Sequence, residues 1–136
     1  MKTLLVYYSY TGNSAQLAGQ VAARTGADLC EIEAYYRPSV PRAYTRGAMA
    51  ARRQQGWPIA PLAKQMENYD RILFMGPIWA GYPAPPLNSA IALLPAGKAV
   101  QVMLLAKSGK GRCQEAVSEQ IRQRGCTVEL FQIIRA

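Results

Sequence analysis

The chain has 136 residues, half of them hydrophobic and 18% charged, and this composition is typical of a single globular domain covering residues 1–136. It contains no histidine, and Cys30, Cys113 and Cys126 lack metal-ligand spacing, which excludes the usual zinc sites and histidine-based triads. We therefore expect no metal and three free thiols. No apolar run approaches the roughly 20 residues of a membrane span, and no secretory leader is recognised, so we expect a cytoplasmic protein without membrane contact.

The formal net charge is +8, and much of the excess lies between Glu33 and Glu67. This stretch contains no acidic residue, and its cations are Arg37, Arg42, Arg46, Arg52, Arg53 and Lys64. A basic surface can attract phosphate-bearing ligands, nucleic acid or an acidic partner, or it can be a plain solvated face. Because Tyr35, Tyr36, Tyr44 and Trp57 are interleaved with these cations, nucleic-acid binding is one hypothesis, although no known nucleic-acid module accompanies them.

The first half of the chain begins with a clear strand and helix and then becomes irregular. The apolar run at 4–8 predicts a strand buried on both faces, and apolar residues at helical spacing predict a helix over 13–24. Residues 28–33 suggest a second strand nearer an edge. The segment 34–61 contains four prolines, and short helices are expected around 48–55 and 62–69.

The second half alternates regularly between strands and helices. Strands are predicted at 71–76, 99–106 and 127–134, with a helix that begins at Pro85-Pro86 and another that runs from Cys113 to Gly125. This alternation predicts an α/β fold with a doubly wound, five-stranded parallel sheet. In such sheets the ligand binds beyond the carboxyl ends of the strands, and here the loops after the first, third and fourth strands are rich in glycine and hydroxyl residues.

The segment Ser9-Tyr10-Thr11-Gly12-Asn13-Ser14 joins the first strand to the first helix. Free backbone N–H groups and the positive end of the helix dipole point into such a loop, and Gly12 allows a positive φ or close backbone approach. Ser9, Thr11 and Ser14 add three hydroxyl groups, and the combination suits a phosphate monoester. The alternative is an ordinary helix start capped by Asn13 or Ser14.

This segment resembles the phosphate loop of the flavodoxin family, in which a hydroxyl residue and any residue precede Thr-Gly-Asn-Thr/Ser after the first strand. Ser9, Thr11, Gly12, Asn13 and Ser14 match the pattern position by position. The resemblance implies a flavodoxin-like fold with strand order 2-1-3-4-5. It also implies FMN as the cofactor, bound by Ser9, Tyr10, Thr11, Gly12, Asn13 and Ser14.

Two more loops extend the resemblance over nearly the whole chain. Residues 76–86 resemble the flavin-ring loop of small flavodoxin-like proteins, many of which have two tryptophans where this chain has Trp79-Ala80. The resemblance implies that this loop edges the isoalloxazine through Pro77, Ile78, Trp79, Ala80 and Gly81. Trp79 would stack and exclude water, or alternatively fill the core.

The loop 107–111 takes the place of the family's third flavin loop, which implies that Ser108, Gly109 and Lys110 also bind the cofactor. Relatives often have Ser-Gly-Gly-Ser there, so Lys107 and Lys110 are a departure. These two lysines either contact the pyrimidine edge of the flavin or extend into solvent.

Two larger features depart from the family's pattern. Dedicated electron carriers of the family are usually acidic, whereas this chain is basic. They also usually carry a helix after the fifth strand, and only Arg135-Ala136 follow Ile134 here. Without that helix we expect one apolar set of the third and fourth strands to face water, and hence a homodimer that buries the sheet face beside the first helix. The two sets are Ile72 and Phe74 with Val102 and Leu104, and Leu73 and Met75 with Met103 and Leu105.

These observations favour an FMN-binding redox protein, whose partner is a redox protein or a small-molecule electron acceptor. An NAD(P)H-dependent reductase of quinones or FMN is the alternative, in which the arginines between Arg37 and Arg53 recognise a nucleotide phosphate. Whether the protein is an enzyme therefore stays open. Nucleic-acid binding without redox activity is the less favoured hypothesis of another class.

Overall fold

The computed structural model describes residues 1–36, 39 and 43–135. Its parallel strands are β1 (Thr3–Tyr7), β2 (Asp28–Glu31), β3 (Arg71–Trp79), β5 (Ala99–Ala106) and β6 (Thr127–Arg135). They form one sheet in the spatial order β2-β1-β3-β5-β6, and the short β4 (Tyr82–Pro83) pairs antiparallel with the end of β3. If only the parallel strands are counted, the order is 2-1-3-4-5. The predicted flavodoxin-like, doubly wound sheet is confirmed.

Helices follow the strands as α1 (Asn13–Thr25), α2 (Ala48–Arg52), α3 (Pro85–Ile91) and α4 (Gln114–Gln123). A single π-helical turn, Ala43–Gly47, leads into α2. The segment predicted as a helix over 62–69 contains only one 3-10 turn, Met66–Asn68, and α2 ends earlier than predicted. The break after α2 coincides with Gln54, whose φ of 53° does not continue a right-handed helix. Within the described ranges, none of the helices has the length and apolar character needed to cross a bilayer.

Two apolar cores cover the two faces of the sheet. The larger core joins β1, β3 and β5 to α3 and α4, with Phe74, Leu87 and Ile121 fully buried. The smaller core lies under α1, where Ala18 packs with Leu73 and Met75. Alternate residues of β3 thus point into different cores, which explains why its sequence is apolar without alternation.

The expectation that a whole apolar set of the middle strands faces water is wrong for the set on the α1 side. Leu73, Met75 and Leu105 are buried there, because α1 packs over them. Met103 is half-buried, and the set on the opposite face is fully covered.

The less covered part of the α1 face lies over β5 and β6. The strand register places Gln101 beside Leu130 and Leu105 beside Ile134. Leu130 and Ile134 are half-buried, and an ion pair between Arg71 and Glu129 (2.6 Å) adds polar groups near this surface. Polar and apolar side chains therefore alternate on it.

Candidate functional site

A cavity of about 480 Å³ opens at the carboxyl ends of β1, β3 and β5. The strand order reverses between β1 and β3, so the cavity lies at the position where doubly wound sheets bind ligands. Its volume falls within the range of about 300–1,000 Å³ that is typical of small-molecule sites. Its lining consists of Tyr10, Thr11, Asn13, Ser14, Ala48, Pro77, Ile78, Trp79, Ala80, Gly81, Leu105, Ala106, Lys107, Ser108 and Lys110.

The structure brings all three predicted loops to this one cavity. Of the predicted site residues, Ser9, Gly12 and Gly109 do not line it. The Ser9 hydroxyl instead accepts hydrogen bonds from the backbone N–H groups of Gly12 (3.1 Å) and Ala15 (3.2 Å). These three residues shape the loops rather than face the cavity.

The N-cap residue of α1 makes no side-chain hydrogen bond, and the first loop presents backbone donors to the cavity. Gly12 occupies the N-cap position of α1 at φ 99°, and the predicted alternative of capping by Asn13 or Ser14 is wrong. In the described part of the chain, the N–H groups of Thr11, Asn13 and Ser14 have no protein acceptor. They lie at the positive end of the helix dipole, an arrangement that favours an anion.

Ser14 is the buried hydroxyl residue of this loop that lines the cavity. The residue is 3% exposed and lines the cavity, and its hydroxyl makes no hydrogen bond within the described ranges. This hydroxyl is therefore available to donate a hydrogen bond to a ligand in the cavity.

The second loop is a β-hairpin rather than the irregular loop that the sequence suggested. β3 continues to Trp79, and the two-residue turn Ala80-Gly81 has φ values of 52° and 87°. Two positive φ values define a type I′ turn, which normally favours Asn-Gly or Gly-Gly. Ala80 is unusual at the first of these positions, and the hairpin was therefore missed.

Trp79 lies at the centre of an aromatic cluster beside the cavity. Its ring makes edge contacts with Tyr8, Tyr10 and Trp57, at centroid distances of 6.3, 5.4 and 6.1 Å. These separations are in the favourable range for aromatic pairs. Trp79 packs against the larger core, as one of the two alternatives predicted, and it also lines the cavity.

The third loop presents charged side chains on the open rim. Lys107, Ser108 and Lys110 are exposed. The Ser108 hydroxyl is engaged within its own loop, because it accepts from the Lys110 N–H (3.2 Å) and donates to the Lys110 carbonyl (3.4 Å). Among the residues that line the cavity in the described ranges there is no acidic side chain, so the site is electropositive.

The third loop ends at Cys113, which is fully buried at the start of α4. Burial raises the pKa of the Cys113 thiol to about 11, since the thiolate cannot be solvated there. All three cysteines are free and buried. This thiol is a packing group rather than a nucleophile.

Four lining residues were not among the predicted site residues. Leu105 and Ala106 end β5, and Lys107 follows them, so the rule that ligands bind beyond strand ends would have included them. Ala48 begins α2, and no motif in the irregular segment indicated it. Of the predicted basic region, Arg46, Arg52, Arg53 and Lys64 are exposed, whereas Arg37, Arg42 and the side chain of Tyr44 lie outside the described residues.

Comparison with known proteins identifies the fold. No protein-family model matches the sequence, and no curated protein is significantly similar to it. Among solved structures, a Lactobacillus acidophilus flavoprotein in complex with FMN is 20% identical, with 96% of this chain and 91% of that chain covered at a TM-score of 0.72. A Fusobacterium nucleatum flavodoxin bound to flavin mononucleotide is 14% identical, with coverages of 99% and 80% and a TM-score of 0.55. The apo form of an NADH:FMN oxidoreductase is 17% identical, with coverages of 96% and 75% and a TM-score of 0.52.

Proposed function

The fold is flavodoxin-like, and we propose that the cavity binds FMN and that the protein performs redox chemistry with it. The observation that carries the proposal is that the N–H donors of Thr11, Asn13 and Ser14, which have no acceptor in the described part of the chain, lie in the same cavity as Trp79. The N–H donors suit a phosphate group, and the aromatic wall at Trp79 suits a flavin ring. FMN contains both groups. The Lactobacillus acidophilus and Fusobacterium nucleatum neighbours were each determined with FMN.

The phosphate end fits this group through its main chain and hydroxyls. The three backbone donors, the Ser14 hydroxyl and the Thr11 side chain would hold the phosphate oxygens, with the α1 dipole adding favourable charge. Ser9 would act indirectly, because its hydroxyl fixes the N–H groups of Gly12 and Ala15 and so sets the loop's curvature.

The ring end fits the isoalloxazine through the hairpin and the third loop. Pro77 to Gly81 and Trp79 would form one wall, and Ser108 and Lys110 the other, with Gly109 shaping the loop from behind. The bound flavin would supply one- and two-electron chemistry, and the protein would bind, orient and shield it. Lys107 and Lys110 would stabilise negative charge that develops on the ring.

The positive charge of the cavity rim favours an acidic redox partner protein or an anionic small-molecule electron acceptor. The negative charge of the acceptor is attracted to the positive rim on the open side of the cavity. This attraction speeds association and weakens as the salt concentration rises. An NAD(P)H-dependent reductase is the alternative, and one structural neighbour is an NADH:FMN oxidoreductase. Anaerobic mixing with NADH or NADPH separates the two: flavin bleaching supports the reductase, and its absence supports electron transfer alone.

Two further parts of this proposal concern the setting of the protein. Three buried free thiols fit a reducing, cytoplasmic compartment. A homodimer would use the half-open surface of β5 and β6 around Met103, Leu130 and Ile134.

Nucleic-acid binding is not favoured, because the Trp57 ring is already engaged by Tyr36 and Trp79.

A titration of FMN into the purified apoprotein tests the proposed function. We expect quenching of flavin fluorescence that saturates at one FMN per chain, together with reversible bleaching by dithionite. Flavin fluorescence that stays unquenched by the wild-type protein would refute FMN binding.

A further inference from the structure

A second tryptophan lies directly behind the cavity wall. The ring of Trp57 is 6.1 Å from that of Trp79 between centroids, yet Trp57 does not line the cavity. On its other side Trp57 contacts the ring of Tyr36 at 5.1 Å. Trp79, Trp57 and Tyr36 thus form a continuous series of ring contacts from the cavity to the surface, which we call the aromatic chain.

Main-chain pairing positions the outer half of the aromatic chain. Tyr35 N–H donates to the Pro58 carbonyl (3.3 Å), and Ala60 N–H donates to the Glu33 carbonyl (2.8 Å). The two segments are further joined by the antiparallel bridge between Ala34 and Ile59. This pairing holds the backbone beside Tyr36 against the backbone beside Trp57.

Helix α3 and Gly47 position the inner half. The Ser89 hydroxyl donates to the Trp57 carbonyl, and the Asn88 amide donates to the Gln55 carbonyl (3.2 Å). A Cβ at Gly47 would lie 2.8 Å from the Trp79 ring and 3.5 Å from the Trp57 ring. The absence of a side chain at Gly47 therefore lets both indoles pack close to its backbone.

The two ends of the aromatic chain meet different surroundings. Trp79 is half-buried and lines the cavity, whereas Tyr36 is 37% exposed. Tryptophan and tyrosine are the side chains from which one electron is most readily removed, and electrons pass rapidly between aromatic rings in contact. Water at Tyr36 can accept the phenolic proton, which traps the electron deficit at the surface.

We propose that the aromatic chain conducts single electrons from the surface at Tyr36 to the cavity, when an aromatic acceptor bound there is excited by light. The proposal rests on the proposed function, because the acceptor it names is the oxidised isoalloxazine ring. Trp79 gives one electron to the excited acceptor, Trp57 gives one to Trp79, and Tyr36 gives one to Trp57. Tyr36 releases its phenolic proton to water and becomes a neutral phenoxyl radical. A hydrogen-atom donor such as ascorbate then restores Tyr36 by returning the electron and the proton.

Radical trapping in the FMN-loaded protein tests whether electrons leave Tyr36 and pass through Trp57 towards the cavity. We expect illumination with a nitroso spin trap to give an adduct on Tyr36, located by peptide mass spectrometry. The adduct should be lost in Trp57→Phe, because phenylalanine keeps an aromatic ring but is not oxidised under these conditions. Tyr35→Phe is the matched control: Tyr35 is 71% exposed and has no ring contact within the described ranges, so the Tyr36 adduct should remain. Adduct on Tyr36 in Trp57→Phe, or none in the wild-type protein, would overturn the proposal.

Pulse radiolysis of the FMN-free protein tests the outer step independently of the proposed function. The azidyl radical oxidises tryptophan, and we expect the indolyl absorption of Trp57 to convert to phenoxyl absorption within one molecule. This concentration-independent phase should be smaller in Tyr36→Phe, where only conversion through the contacts of Trp79 with Tyr8 and Tyr10 remains, and should keep its full size in Tyr35→Phe. Equal phases in both variants would refute the chain even if FMN binds. Failure of FMN to bind, with the phase intact, would refute the proposed function alone.

Discussion

The two ends of the cavity offer different kinds of binding groups. The first loop offers backbone N–H groups and the hydroxyl of the buried residue Ser14, and helix α1 and Ser9 hold the loop in place. The third loop offers the exposed Lys107 and Lys110, whose charge is screened by water. Fixed neutral donors in a partly desolvated place give affinity and selectivity, whereas mobile exposed cations give mainly long-range attraction.

Alanine substitutions of one serine at each end of the cavity test this difference most sharply. Ser14→Ala removes a hydroxyl that has no partner among the described residues, and Ser108→Ala removes one that is hydrogen-bonded within its own loop. A hydrogen bond to a charged group contributes about 1.5–3 kcal/mol, so Ser14→Ala should weaken FMN binding roughly 10- to 100-fold.

We expect Ser108→Ala to change the dissociation constant of FMN only slightly in the same fluorescence titration. Circular dichroism of both variants checks that the fold is kept. If Ser108→Ala weakens FMN binding as much as Ser14→Ala does, the assigned difference between the two ends is wrong.

The strand, loop and helix around the first loop could be predicted because the information for them is local. A buried strand, a glycine at positive φ and a helix start lie within a few residues, so hydroxyl and glycine positions alone indicate an anion site. The β5 and α4 boundaries followed from equally local apolar patterns.

The remaining parts of the site depend on contacts between distant segments. Ala48 reaches the cavity because α2 packs there, and Trp57 reaches Trp79 through hydrogen bonds from α3. The hairpin at Ala80 was missed because alanine rarely takes a positive φ, and only its tertiary surroundings hold it there. Burial of Leu73 and Met75 was misjudged, since the area that α1 covers is not readable from spacing.

We expect alkaline pH to lower the free energy of unfolding through the Cys113 thiol, which follows the third loop. The pKa of the Cys113 thiol is raised from 9.0 to about 11, and the raised value means that the folded state holds its proton more tightly than the unfolded state. The associated stability is present in full below pH 9.0 and is lost as the pH rises towards 11. Two pKa units correspond to about 2.7 kcal/mol.

Urea unfolding of wild type and Cys113→Ala between pH 7 and about pH 11 measures this loss. The variant is less stable at neutral pH because it leaves a small cavity, but its stability should fall less with pH. Parallel pH profiles for the two proteins would contradict the assignment to Cys113.

The smallest effect concerns the two lysines of the third loop. Because Lys107 and Lys110 are exposed, either charge interacts with the flavin ring through water, which limits the energy to about 1 kcal/mol or less. We expect Lys110→Gln to lower the midpoint potential by at most roughly 40 mV for a one-electron couple, and less at high salt. Lys98→Gln, away from the cavity lining, is the charge-matched control. A larger shift that salt does not reduce would mean direct contact with the ring.

The comparison of FMN with riboflavin tests the central claim most directly, because riboflavin lacks only the phosphate. In fluorescence titrations, the wild-type protein should bind FMN far more tightly than riboflavin. Ser14→Ala should narrow the difference by weakening FMN binding while leaving riboflavin binding unchanged. Equal affinity of the wild-type protein for FMN and riboflavin would contradict the assignment of the first loop as a phosphate site.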